Sequence, residues 1–296
     1  MELLSQTLVT GILVGAFYAV MVLGFSVIWG VMGVINVAHG ELVMVGAYLA
    51  IELDVRYGVD PFVALVVVMP VMFVAGWVLQ RVLINRVVER PHLVSLLVTF
   101  GLSILLASAC KSAYGGDPRR ISVDYTAPLY VAGIAIPQVR LMILGVALAI
   151  MGALSLLLAR TRLGKSIRAA AQNKNAARIV GIPIDRVYAV TFGLCAAITA
   201  ASGAMCATIL PVHPFMGGPL TLKAFTITAL GGLGRIPGAL LGGILLGMVE
   251  VGVATYVPGI GTNLGIATSF VLLVFVLIVR PQGLLRGLRP IGESDV

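Results

Sequence analysis

The stretch "GVMGVINVAHGELVMVGAYLA", residues 30–50, decides how this chain is built. The sequence before it is almost wholly apolar, and so is the sequence after it. Between the two, Asn36, His39 and Glu41 fall within six positions, with Gly40 among them. Polar groups in apolar surroundings cost free energy unless they are partnered. The pattern therefore reads as a break: one helix ends and another begins, with Asn36 placed to cap the second and Glu41 in its first turn to complement the helix dipole. A second reading is compatible with the first. Irregular backbone at membrane depth survives only where protein buries it or it faces water, so the break also reads as part of a transport path.

Composition sets the class around this stretch. Hydrophobic residues make up 59% of the 296 residues and charged residues 11%, with mean hydropathy +1.08. A soluble domain carries about a quarter charged residues, so most of this surface must face lipid, and the whole chain, 1–296, reads as one all-α integral membrane domain. The net charge of +8 is explained by basic residues gathered in cytoplasmic loops and calls for no nucleic acid. Cys110, Cys195 and Cys206 show no metal or disulfide spacing and read as buried thiols. The start, "MELLSQTLVTG", lacks a basic leader region, and the apolar run from Leu8 to Trp29 is long enough to span, so the first helix is expected to be retained.

Apolar runs bounded by charges and Pro/Gly clusters lie near 5–29, 36–52, 61–80, 93–113, 139–159, 187–210, 237–257 and 263–279. A shorter run, 220–233, is expected to be broken or re-entrant. The expectation is about 8–9 transmembrane segments. Glycines recur at helix-packing spacing: Gly11 and Gly15; Gly234, Gly238 and Gly242; Gly243 and Gly247. The pairs Gly217–Gly218 and Gly231–Gly232 mark places where a helix can break.

Loop charge gives orientation. The connection 160–186 holds Arg160, Arg162, Lys165, Arg168, Lys174, Arg178 and Arg186 against Asp185 alone. It reads as a cytoplasmic segment, helical by propensity to Val180, stopped by Gly181 and Pro183. Arg81, Arg86 and Arg90 mark a second inside loop, and Arg280, Arg286 and Arg289 an inside tail. Parity then puts the N-terminus outside and the C-terminus inside if 220–233 crosses, with Arg235 at the inner face.

Catalytic signals are thin. "ARTRLGKS" (159–166) is half a phosphate-binding loop, but Ala159 replaces the first glycine and a membrane helix, not a strand, precedes it. No metal-ligand or nucleophile motif occurs, and His39 and Glu41, two apart, do not share a helix face. The chain reads as no enzyme and needs no cofactor or metal. Glu250 is the main ionisable residue inside an apolar run, with Lys223 near a segment end, a sparse set for a secondary transporter coupled to ions.

Three stretches in order, "GFSVIWGVMGVINVAHGELVMVGAYLA" (24–50), "AAAQNKNAARIVGIP" (169–183) and "AFTITALGGLGRIPGALLGGILLG" (224–247), resemble the permease subunits of branched-chain amino-acid ATP-binding-cassette importers. The length is similar to that of the shorter of the two permeases of such a system. The resemblance implies a bacterial or archaeal cell-membrane (inner-membrane) protein that carries aliphatic amino acids. Its implied partners are a second homologous permease, two cytoplasmic ATP-binding subunits and an extracytoplasmic substrate-binding protein. It implies an ATPase-coupling role for Ala177, Arg178, Gly181 and Ile182. It also sets "NVAHGE" (36–41), with Asn36, His39 and Glu41, and "GGLGRIPG" (231–238), with Gly231 and Gly232, beside the translocation path. Urea or short amides as cargo, or a secondary transporter, remain the alternatives.

Overall fold

The computed structural model describes residues 2–123, 125, 127–131, 133–232, 234, 236–257 and 261–279. Its helices follow the apolar runs closely. They are α1 (Glu2–Met32), α2 (His39–Tyr57), α3 (Pro61–Val82), α4 (His92–Tyr114), α5 (Gln138–Arg160), α6 (Arg162–Gln172), α7 (Lys174–Ile179), α8 (Ile184–Ile209), α9 (Gly217–Gly231), α10 (Ile236–Tyr256) and α11 (Gly261–Val279). Among the described residues, six helices are long and apolar enough to cross a membrane by length and composition. Arg235, Arg280, Arg286 and Arg289 lie outside the described residues.

Two expectations are corrected. The chain is not purely helical: Pro128–Val131 (β1) and Ile134–Pro137 (β2) pair antiparallel around a turn in which Gly133 takes φ +81°. The basic segment is not one helix to Val180 either. It breaks at Asn173, whose extended backbone (φ −156°) lets its side chain accept from the Asn175 and Ala176 amides, both at 3.0 Å. That local bond offers an alternative to helix continuation, so α6 ends and α7 begins there.

Local chemistry sets most other boundaries. Gly58, in the left-handed conformation, closes α2 by donating to the Asp54 carbonyl at 2.8 Å. Asp60 then accepts from the Phe62 amide at 2.8 Å and Pro61 opens α3. Thr161 caps α6 through the Gly164 amide at 2.9 Å.

Burial sorts the helices into a centre and a shell. The most apolar windows of α1 and α8 are each 89% buried, against 22% for α3 and for α4 and 28% for α5. Long apolar helices with exposed Val66, Leu97, Ile104, Leu105 and Leu156 are suited to lipid, where apolar side chains need no cover. Small residues hold the centre together. A Cβ on Gly11 would stand 2.7 Å from the Met248 Cα, one on Gly243 2.8 Å from the Ala19 amide, and one on Gly15 would overlap Ile244. α1 and α10 are thus antiparallel and in backbone contact. α8 meets α3 in the same way at Gly193 and Gly76, and meets α2 at Gly203 and Gly46.

The bundle has two distinguishable ends. At one, Gln6 exchanges two hydrogen bonds with Ala135 of β2 (2.7 and 3.0 Å), and Arg119 and Val212 pair backbone to backbone (2.8 and 2.7 Å). At the other, the 83–91 turn meets α7, the His92 and Trp29 rings stack with centroids 6.2 Å apart, and Gly30 faces Gly234. α1 starts at the hairpin end and α7 lies at the opposite one.

Candidate functional site

α1 stops at Met32 near the α7 end, but α2 does not start there. Residues 33–38 climb back into the bundle without helical structure. Gly33, at φ +65°, donates to the Trp29 carbonyl at 2.9 Å and turns the chain. Thr99 of α4 then serves the climbing backbone: its hydroxyl accepts from the Val37 amide at 3.1 Å and lies 2.9 Å from the Ile35 carbonyl. α2 opens at His39, with the Glu41 carboxylate near Ser103, midway along α4.

α9 has the same construction from the opposite side. α8 ends at Ile209 at the hairpin end, residues 210–216 turn back, and α9 begins at Gly217. The two starts touch. A Cβ on Gly40 would overlap the Gly217 carbonyl oxygen, and one on Gly217 would lie 2.6 Å from Glu41 Oε1. Thr221, the fifth residue of α9, accepts from the Gly40 amide at 2.8 Å and donates to the Val37 carbonyl at 3.0 Å. Two part-length helices therefore meet N-terminus to N-terminus within the bundle, with the Glu41 carboxylate between them.

The sequence-predicted residues at this break are all enclosed. Asn36 and His39 are 0% exposed and Glu41 is 4%. His39 Nε2 donates to the Met21 carbonyl at 2.7 Å, and its ring lies edge-on to Phe25. His39 Nδ1, Glu41 Oε2 and both Asn36 side-chain polar atoms have no hydrogen-bond partner. The expected Asn36 cap is corrected. Ala38 precedes α2 with φ −77° and ψ 13°, outside the extended geometry a capping side chain needs, and Asn36 contributes only its carbonyl, to the His39 amide at 3.3 Å. Gly231 and Gly232 are not brought to this cluster. They lie at the far end of α9, fourteen residues and about 21 Å along the axis from Gly217, where Gly231 packs against Gly238.

A second polar cluster joins residues the sequence left apart. Lys223 Nζ lies 2.6 Å from Glu250 Oε1 and 2.6 Å from the Tyr18 hydroxyl oxygen, which donates to Glu250 Oε2 at 2.6 Å. α1, α9 and α10 each supply one member. Lys223 is mid-helix rather than near a segment end. A lone lysine and a lone glutamate in apolar runs signal a partner, but no periodicity links positions 27 residues apart, and Tyr18 carries no signal at all.

At the α7 end, Ala177 is buried, and Arg178 donates to Glu89 of the 83–91 turn at 2.9 Å with Lys174 3.6 Å away. The Arg178 guanidinium holds the Glu89 carboxyl below its usual value, with help from Lys174. Gly181 takes φ +85°, and the Ile182 amide donates back to the Ala177 carbonyl at 3.0 Å, closing the helix. Ala177, Arg178, Gly181 and Ile182 thus form one tip. Ile179 and Val180 on it are 86% and 74% exposed. Among the described residues, no group of three or more His, Cys, Asp or Glu stands together as a metal site.

The model of the family described as "branched-chain amino acid transport system / permease component" matches residues 7–279. The chain is 31% identical over 297 residues to the high-affinity branched-chain amino acid transport system permease protein LivH of Escherichia coli, covering 95% of this chain and 94% of that one. It is 32% identical over 301 residues to the corresponding permease protein BraD of Pseudomonas aeruginosa, covering 95% of each. Among solved structures, PsaBC from Streptococcus pneumoniae in complex with Fab superposes with a TM-score of 0.44 at 13% identity, covering 96% of this chain and 93% of that one.

Proposed function

This chain belongs to the family of branched-chain amino-acid transport permeases, and from that premise we propose that it is the membrane permease subunit of an ATP-driven importer of aliphatic amino acids. It is a multi-pass cell-membrane protein. The match over residues 7–279 carries the assignment. The nine apolar helices α1–α5 and α8–α11 are its membrane-embedded segments, within one permease domain over 1–296. The N-terminus is outside and the C-terminus cytoplasmic; the basic charge of 160–186 and the position of Gln6 at the opposite end support this.

The division of labour follows. ATP binding and hydrolysis belong to two cytoplasmic partner subunits, a second homologous permease completes the channel, and an extracytoplasmic binding protein delivers the substrate. Residues 160–186 couple the permease to the ATPases through Ala177, Arg178, Gly181 and Ile182. Exposed Ile179 and Val180 support this, because an apolar pair flanked by arginine and lysine in an aqueous region is suited to a protein seat rather than to lipid. The path runs beside Asn36, His39 and Glu41 at the paired helix starts, and beside Gly231 and Gly232 at the turn into α10. Buried polar atoms without partners support this reading, since each costs about 1–3 kcal/mol.

The test is reconstitution of all subunits in vesicles. Leucine uptake should require ATP and the binding protein; uptake driven by an ion gradient without ATP would overturn the assignment. Gly181→Val, at a left-handed position that costs a β-branched residue about 1–2 kcal/mol, should leave assembly intact and release ATP hydrolysis from uptake.

A further inference from the structure

At the hairpin end, a cavity of about 500 Å³ opens between the 120–123 segment, the end of α8 and the start of α5. That size is ample for one small organic molecule. Its polar wall is Arg120, Ser122, Arg140 and Thr208; its apolar wall includes Val123, Val139 and Ile209. No acidic residue lines it among the described residues. Arg120 spends one N–H on the Thr208 carbonyl at 3.2 Å, and among the described residues no hydrogen bond or ion pair engages Arg140. Two arginines thus line one cavity with no carboxylate among its described lining residues. Arginine is the residue suited to two-point recognition of a carboxylate, and the branched aliphatic lining is suited to a short branched hydrocarbon.

We propose that this cavity is a binding site for a branched aliphatic carboxylate, in which Arg120 and Arg140 hold the carboxylate and Val123, Val139 and Ile209 hold the side chain. The inference rests on the proposed function, and makes the cavity the place where a branched-chain amino acid is first held by the permease. With no acid among its described lining residues, the cavity does not select for the ammonium group. It therefore binds the des-amino acid as well as the amino acid.

The experiment uses the complete importer in phosphatidylcholine nanodiscs, without binding protein or ATP, and measures equilibrium binding of leucine, 4-methylpentanoate and leucinamide. ATP-driven leucine uptake, with the binding protein added, is measured on the same preparation. Leucine and 4-methylpentanoate should bind within about threefold of one another, and leucinamide about tenfold more weakly, the worth of one charge-assisted contact. Arg140→Gln should weaken both carboxylates about tenfold, Arg140→Lys less, and Ile209→Trp, which fills the cavity from its rim, should abolish binding without removing a charge. The proposal is overturned if Arg140→Gln and Ile209→Trp both bind leucine as the unaltered importer does, or if inorganic phosphate competes as well as 4-methylpentanoate. It is also overturned if Arg140→Gln weakens only docking of the binding protein, which would assign the arginines to a protein carboxylate. If leucine uptake itself is absent, the proposed function fails; if uptake is present but binding does not depend on Arg140, only this inference does.

Discussion

The Tyr18–Lys223–Glu250 cluster allows the sharpest test of how this bundle is held. Three contacts of 2.6 Å join one cation, one anion and one hydroxyl from three helices. The side chains are 10% and 17% exposed at Lys223 and Glu250, so solvent screens them little. Removing one member of a buried pair strands the other charge and costs about 3–5 kcal/mol. Lys223→Met and Glu250→Leu should each fall in that range. Tyr18→Phe keeps the ion pair but loses two of the three contacts; hydrogen bonds to charged groups contribute about 1.5–3 kcal/mol each, and the surviving pair can close up, so about 2–3 kcal/mol is expected. Lys223→Met with Glu250→Leu removes both charges and should cost less than either single change, because replacing a buried pair by apolar groups is often neutral. The assay is equilibrium unfolding of the purified protein in mixed micelles, read as a double-mutant cycle. If the double variant's loss equals the sum of the two single losses, the pair is not coupled and the reasoning fails. Single variants within about 1 kcal/mol of the unaltered protein would refute it equally.

Three further outcomes follow from the same geometry. Gly40→Ala should destabilise by about 3 kcal/mol, because its Cβ meets the Gly217 backbone and backbone cannot rotate away, whereas Gly101→Ala, with nothing within 4 Å, should stay within about 0.5 kcal/mol or gain slightly; thermal unfolding of the pair separates packing from composition, and equal losses would sink the argument. Glu89 is held below its ordinary value of 4.5 first by its hydrogen bond to Arg178 and then by charge; its stabilising link is present above that ordinary value and is lost as pH falls through the lower folded value, so a carbon-13 titration of Glu89 should show a midpoint that rises in Arg178→Ala and is unmoved in Arg168→Ala. Arg56→Cys should react with an impermeant thiol reagent in intact cells and Lys174→Cys should not, against a low background because Cys110, Cys195 and Cys206 are buried; labelling at 174 would reverse the orientation.

What was legible in the sequence was what neighbours in sequence decide. The apolar runs gave every long helix, because each must satisfy its own backbone. Gly217 and Gly231 bracket α9 as the glycine pairs suggested, and the break after residue 30 is real. Most of the failures share a cause, contacts between residues far apart in sequence. Asn36 was expected to cap α2, but the amide at Gly40 is served by Thr221, 181 residues away. The glycine spacings announced close helix contact, yet only the fold says that Gly11 and Gly15 meet α10 rather than each other's equivalents in a second chain. The arginines at 120 and 140 sit in a loop and at a helix start with no periodic signal, and they acquire a common cavity only when α8 ends beside α5. The hairpin was not foreseen, although Gly133 stands between two short runs of strand-forming residues.

The contacts also expose a relation between the two halves that neither half shows alone. α1 crosses, the chain re-enters over 33–38, and α2 starts within the bundle and returns to the end from which α1 came. α8 crosses in the opposite direction, the chain re-enters over 210–216, and α9 likewise starts within and returns. The partners match: α1 packs on α10 through glycines as α8 packs on α3, and the two starts touch at Gly40 and Gly217. Two segments of opposite direction with the same local plan are an inverted repeat. They differ where they meet. The first half brings Asn36, His39 and Glu41 to its re-entry, while the second brings Met216, Gly217 and Gly218. Both helix starts carry a partial positive charge, and two such ends facing one another repel. Glu41 sits in the first turn of α2 and against the first residue of α9, so a single carboxylate complements both. Gly217 is what admits it: any larger side chain at that position would displace the carboxyl group from the axis of α9, leaving that helix start uncompensated inside an apolar bundle.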